Sequence, residues 1–236
     1  MNMFSNMTTE GMEEVKDSVG GFSLLDSGVY PAKIKAVYMT KASSSNAMAA
    51  NLLLDIEGRE YRETIYITNK NGENFFVNQK TGNKVPLPGF TLLNDLCLLT
   101  VKEPLCKMDT EDKVFKLYDY EAKTELPKSV PTITALSDRE VIVGIIKQVV
   151  DKNVKNADGK YVPSGETREE NIIDKFFHAE SKCTVNEISA GKEDHAFLDK
   201  WVEKNAGKTR NKAQGKKEGT AGAPQKPATQ TKSLFG

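Results

Sequence analysis

A mainly β fold, a small barrel with one helix set between its third and fourth strands, is what this sequence predicts. Three observations carry the prediction. Stretches of period-two alternation recur through the chain, as half-buried strands require. The first stretch with helical spacing comes only after the third of them. Clusters of Gly, Pro, Asn and Ser separate the segments from one another.

The elements follow in order. Residues 1–21 are polar, rich in Met and punctuated by Gly, and are expected to form a flexible N-terminal segment. They show neither the basic start nor the apolar stretch of a secretory signal, so a cytoplasmic location is expected. From Gly28 to Lys41, Tyr30, Ala32, Ile34, Ala36 and Tyr38 alternate with polar positions, which predicts a long strand with Lys33 and Lys35 on its outer face. A loop of small residues follows. Asn51 to Glu57 predicts a second strand with Leu52, Leu54 and Ile56 inward, and the Glu57-Gly58 turn leads into a third strand from Arg59 to Thr68.

Residues 69–89 form a loop rich in Gly, Asn and Lys that carries Phe75 and Phe76. Thr91 is the expected N-cap of a helix, with Leu92, Leu93, Leu96 and Leu99 at helical spacing. Residues 102–131 read as a charged, Pro-punctuated insertion with a short strand near Phe115 to Tyr120. Arg139 to Lys152 is dense in β-branched residues and predicts a strand. A turn-rich connection then leads to a last strand from Asn171. Three strands, a helix and two strands match an OB-like five-stranded barrel. A C-terminal helix presents Phe197, Leu198, Trp201 and Val202 on one stripe, with Gly207 as its C-cap. The expected organisation is a flexible segment at 1–21, a barrel domain at 22–207 and a disordered basic tail at 208–236.

The formal charge of zero conceals a split. Residues 200–236 hold nine Lys and Arg against two acids, which leaves 24 against 31 for the remainder. A basic appendage on an acidic body suits an anionic partner, or docking of the tail onto its own body. The longest apolar runs, near Leu52 and Val141, fall short of the roughly 20 residues a membrane-spanning helix needs, so no membrane partner is expected.

Catalytic chemistry finds little support. Cys97, Cys106 and Cys183 are odd in number and irregularly spaced, as reduced thiols are. His178 and His195 lack a metal-ligand spacing or a defensible Ser or Cys partner. Asp109 or Asp112 followed by Glu121 and Lys123 imitates a Mg²⁺ nuclease, but within a charged insertion. There is no phosphate-cradling Gly-rich motif. No enzyme, cofactor or metal is expected.

Binding chemistry is better supplied. Single-strand binders combine cations that track phosphates with aromatic faces on which bases stack. The expected platform is Lys33, Lys35 and Lys41 on the first strand, Tyr61, Arg62 and Tyr66 on the third, and Lys70, Phe75 and Phe76 in the next loop. Alternation puts Tyr61 and Tyr66 on opposite faces, so one of them belongs to the core.

The segments KLYDYEAKTE and DGKYVPSGETREENIIDKFFHAESKCTVNEI, with FLDKWVEKNAG ahead of a Lys-rich tail, carry a family likeness. Over residues 22–207 the chain resembles the single-stranded DNA-binding proteins of lytic short-tailed bacteriophages that carry their own RNA polymerase in the virion. The resemblance implies an OB-like fold and sequence-independent binding of single-stranded DNA. It also implies roles in phage replication, recombination and late transcription in the cytoplasm of an infected bacterium, beside phage replication proteins. A basic C-terminus in that family is linked to activating host RNA polymerase, and Lys208, Arg210, Lys212, Lys216, Lys217, Lys226 and Lys232 match it here. The acidic tail ending in an aromatic, common in other such proteins, is missing, and only Leu234-Phe235-Gly236 echoes it. The lysines could add affinity for DNA, or Leu234 and Phe235 could fill a pocket on a protein partner. The competing function is a transcription-activating or scaffold protein that contacts RNA polymerase through this tail.

Overall fold

The structure is a computed structural model and describes residues 24–42, 45–119, 121–157, 159 and 161–214. Three antiparallel strands begin it: β1 (Gly28–Lys41), β2 (Met48–Ile56) and β3 (Arg59–Tyr66). A separate small hairpin, β4 (Phe75–Val77) with β5 (Lys84–Pro86), leads into helix α1 (Pro88–Thr100). The insertion forms a second hairpin, β6 (Glu111–Asp119) with β7 (Thr124–Thr132). Long strands β8 (Glu140–Lys155) and β9 (Tyr161–His178) pair antiparallel, and α2 (Val185–Ser189), α3 (Ala196–Asn205) and β10 (Thr209–Asn211) finish the described chain.

The main sheet runs β10-β8-β1-β2-β3, with β9 on the far side of β8 and the β6–β7 hairpin attached to β1. All its pairings are antiparallel except that of β10 with β8. Inward residues of β1, β2, β3, β8 and β9 share one core with Leu93, Leu96, Cys97 and Leu99 of α1. Burial in this core pushes the Cys97 thiol up to about 12, so it is an inert packing group.

Where the sequence reading expects a closed barrel, the hydrogen-bonded path is open. Among the described residues no backbone ladder joins β3 to β9. A side chain crosses the seam instead: the Ile173 backbone N–H donates to the Glu63 carboxylate at 2.7 Å. The register of β9 shifts beside this point, with Gly144 opposite Lys175 and Ile145 opposite Ile173. That bulge at Asp174 bends β9 and breaks regular pairing.

Helix α1 starts earlier than its Leu spacing suggests. Its N-cap is Leu87, without a side-chain bond, and Pro88 opens the first turn, where its missing N–H is harmless and its fixed φ is suitable. Thr91 lies one turn inside, donating to the Leu87 carbonyl at 3.2 Å, so it is not the cap. Gly89 is required here, because a Cβ would run into the Tyr66 carbonyl and the Ile65 side chain. The insertion holds two strands rather than one, and the turn-rich connection before Asn171 is largely the first half of β9. Local turn residues do not prevent strand pairing once a long partner such as β8 supplies the ladder.

The tail boundary also moves. Lys208, Arg210 and Lys212 belong to the folded domain and not to a disordered tail. The Ser27 hydroxyl donates to the Lys208 carbonyl, and the Lys212 N–H donates to the Val149 carbonyl at 2.8 Å. Arg210 donates to Asp174, whose other oxygen accepts from the Trp201 indole at 2.8 Å. Trp201, Leu198, Phe177 and Ile146 form a second apolar cluster that seats α3 on the outer face of β8 and β9. Lys216, Lys217, Lys226, Lys232, Leu234 and Phe235 lie outside the described residues, as do residues 1–21.

Candidate nucleic-acid interface

The outer face of β1, β2 and β3 is organised by one irregularity. The β1–β2 register shifts between Ile34 and Ala36, making Lys35 the extra residue of a bulge. Before it, Ala32 and Ile34 point inward; after it, Val37 is fully buried and Tyr38 points outward. The shift overturns the uninterrupted alternation that places Tyr38 on the same face as Ile34. Two consecutive apolar residues, Ala36 and Val37, in an otherwise alternating strand were the sequence sign of it.

Three cross-strand rows result: Ala36, Leu53 and Arg62; Tyr38, Asn51 and Thr64; Thr40, Ala49 and Tyr66. Asn51 links the last two, donating to Thr40 Oγ1 at 2.8 Å and accepting from Thr64 Oγ1 at 2.8 Å. The β6–β7 hairpin then adds an aromatic. Phe115 stacks on Tyr38 with ring centroids 5.1 Å apart and planes inclined by 26°. Between hairpin and sheet lies a cleft of about 170 Å³ whose walls include Tyr38, Leu53, Arg62, Thr64, Phe115 and Lys116. Partial burial raises the Tyr38 phenol, with the Arg62 guanidinium acting against it, so the ring carries no charge at neutral pH.

Of the expected platform residues, Arg62 and Tyr66 reach this face. Arg62 donates to Glu60 at 2.7–2.8 Å on an exposed surface, and Tyr66 is 58% exposed. Lys33 and Lys35 are exposed but already paired, with Asp138 at 2.9 Å and Asp55 at 3.2 Å. Such exposed pairs contribute little and are screened by salt, so a phosphate can displace them. Lys41 ends β1 opposite Met48 and is exposed, as is Lys70 in the loop after β3.

Tyr61 is a correction. It faces the interior beside the core, and its hydroxyl donates to Glu63 at 2.7 Å, so no base can stack on it. Burial, followed by the neighbouring Glu63 charge, drives its phenol far up. Burial likewise pushes the Glu63 carboxyl up to about 7, against the bonds from Tyr61 and Ile173 that favour its charge. Phe75 sits on the separate β4–β5 hairpin with the Lys84 ammonium 4.2 Å from its ring centroid, which occupies that face. Phe76 is 48% exposed on the same hairpin.

Phe115 and Lys116 were missed because the insertion reads as charged connection. Its alternation of Lys113, Phe115 and Leu117 against Asp112, Val114 and Lys116 was the available sign. The nuclease-like set does not assemble: Asp112 pairs near the base of the β6–β7 hairpin and Glu121 and Lys123 lie at its turn, roughly 25–30 Å away at strand rise. His178 does have a serine neighbour, Ser181 Oγ at 3.1 Å, but the contact closes a tight turn in which the Ser181 N–H also donates to the ring. His195 opens α3, 3.9 Å from Asp199. No known protein-family model matches the chain, and a search of curated proteins finds none similar to it.

Proposed function

We propose that the protein binds single-stranded DNA without sequence preference, across the outer face of β1, β2 and β3 and under the β6–β7 hairpin. The observation that carries this reading is the Tyr38–Phe115 stack over a cleft walled by Arg62 and Lys116. A single strand needs flat apolar faces for its bases and cations for its phosphates, and this cleft offers both side by side. Asn51 and Thr64 have their polar atoms engaged with each other and with Thr40, which suits stacking better than base reading.

An OB-like barrel is the fold assignment that goes with it. β1, β2, β3, α1, β8 and β9 follow the OB order, the β6–β7 hairpin is an insertion before the fourth barrel strand, and the Glu63 bridge stands where the barrel would close. The face in question is the usual ligand face of such barrels. With the family resemblance, the function extends to phage DNA replication, recombination and late transcription in an infected bacterium, without catalysis. Host RNA polymerase is the proposed partner of the basic segment after Gln214.

Fluorescence anisotropy with labelled oligo-dT, against duplex of equal length over a salt series, tests the reading. Preference for the single strand is expected, with a salt dependence of about 0.7 per phosphate neutralised. Equal affinity for duplex and single strand overturns it.

A further inference from the structure

A concavity away from the DNA cleft shares no residue with it. It holds about 640 Å³ between the end of α1 and the short helix α2, within the 300–1,000 Å³ typical of ligand clefts. Leu98, Leu99, Val185 and Ile188 make its apolar wall. Ile188 is 47% exposed, so part of that wall is open to a partner. The placement of Ile188 is not loose. Glu187 is buried and closes a capping box with Thr184, while its other oxygen accepts from the Phe197 N–H at 2.7 Å, so one side chain ties the start of α2 to the start of α3.

Charge at the rim distinguishes between occupants. Lys102, Lys192 and Glu193 line it, all exposed, and none of them forms an ion pair among the described residues. Lys102 also adopts φ 64°, a left-handed conformation just past the end of α1 where glycine would be unstrained. The rim is net cationic, two lysines to one glutamate, and the chain's own segment after Gln214 carries Lys216, Lys217, Lys226 and Lys232 against Glu218, so it has the same net sign.

We propose that this cleft docks a short segment of a partner protein in which apolar side chains are flanked by acidic ones. The apolar side chains bury against Leu98, Leu99, Val185 and Ile188, and the acids face Lys102 and Lys192.

The test titrates the full-length protein into three labelled peptides: a Leu-Phe core flanked by Asp and Glu, the same core flanked by Lys and Arg, and a copy of residues 215–236. The acidic peptide should bind saturably and about tenfold or more tighter than the basic one. Ile188→Asp, at an exposed position, should abolish that binding. Lys102→Gly should weaken it several-fold while leaving the melting temperature unchanged or higher, and neither variant should alter oligo-dT affinity. Saturable binding that ignores peptide charge, or that survives Ile188→Asp, overturns the proposal. So does failure of the acidic peptide to bind. Tighter binding of the 215–236 copy, sensitive to Ile188→Asp, also overturns it and makes the protein's own tail the occupant.

Discussion

Replacing Glu63 by Gln should make the protein more stable, and increasingly so as pH rises. Both bonds that Glu63 accepts, from Tyr61 Oη and the Ile173 N–H, land on Oε2, each at 2.7 Å. A proton on Oε1 therefore costs neither bond, and a glutamine can accept both through its carbonyl. Burial lifts the carboxyl from 4.5 to about 7, so the folded state holds this proton more tightly than the unfolded chain. The stability this group contributes is complete below pH 4.5 and is lost as pH rises through about 7. That interval corresponds to about 3 kcal/mol, spent on keeping a charge beside the core above neutrality. Urea denaturation of wild type and Glu63→Gln, from pH 5 to pH 9, measures it. The variant should be ahead by about 1 kcal/mol at pH 5 and by about 3 kcal/mol at pH 8–9. A stability difference that stays constant across this range refutes the reasoning, because the buried charge would then not be what the substitution removes.

Tyr38→Ala and Phe115→Ala should each weaken oligo-dT binding by about 1–3 kcal/mol, while Tyr61→Phe leaves it unchanged; anisotropy titrations at fixed salt decide between them. Gly89→Ala should destabilise the fold by several kcal/mol, on the order of other severe backbone clashes, since the added methyl displaces α1 from the end of β3; thermal melts report it. Asp174→Ala should cost about 2–4 kcal/mol in urea denaturation, because it strands the buried Trp201 indole N–H and leaves Arg210 without its carboxylate. Truncation after Gln214 should leave the melting temperature near that of the full chain, whereas truncation after Gly207 should lower it by removing β10 and the Arg210 contact.

By itself the sequence determined the mainly β character, the places of β1, β2, β3 and β8, and the existence of α1 and α3. These depend on local periodicity and turn residues, which a linear reading reports directly: Leu52, Leu54 and Ile56 alternate into the core, and Leu93, Leu96 and Leu99 recur on one helical face. It placed Tyr61, Arg62 and Tyr66 on β3 and required one tyrosine to be core, but which one it left to the fold: Tyr61 packs inward and Tyr66 is exposed. Three more things were decided only by tertiary structure. The bulge at Lys35 sends Tyr38 outward, because the register of β1 depends on its partner β2. The insertion's Phe115 meets Tyr38 only because β7 pairs with β1 at Tyr38 and Thr132, far apart in sequence. Arg210 is drawn from the basic tail into the domain by Asp174, whose carboxylate Trp201 also binds. Each is a contact between distant segments, and its free energy exists only once the chain has folded around both partners.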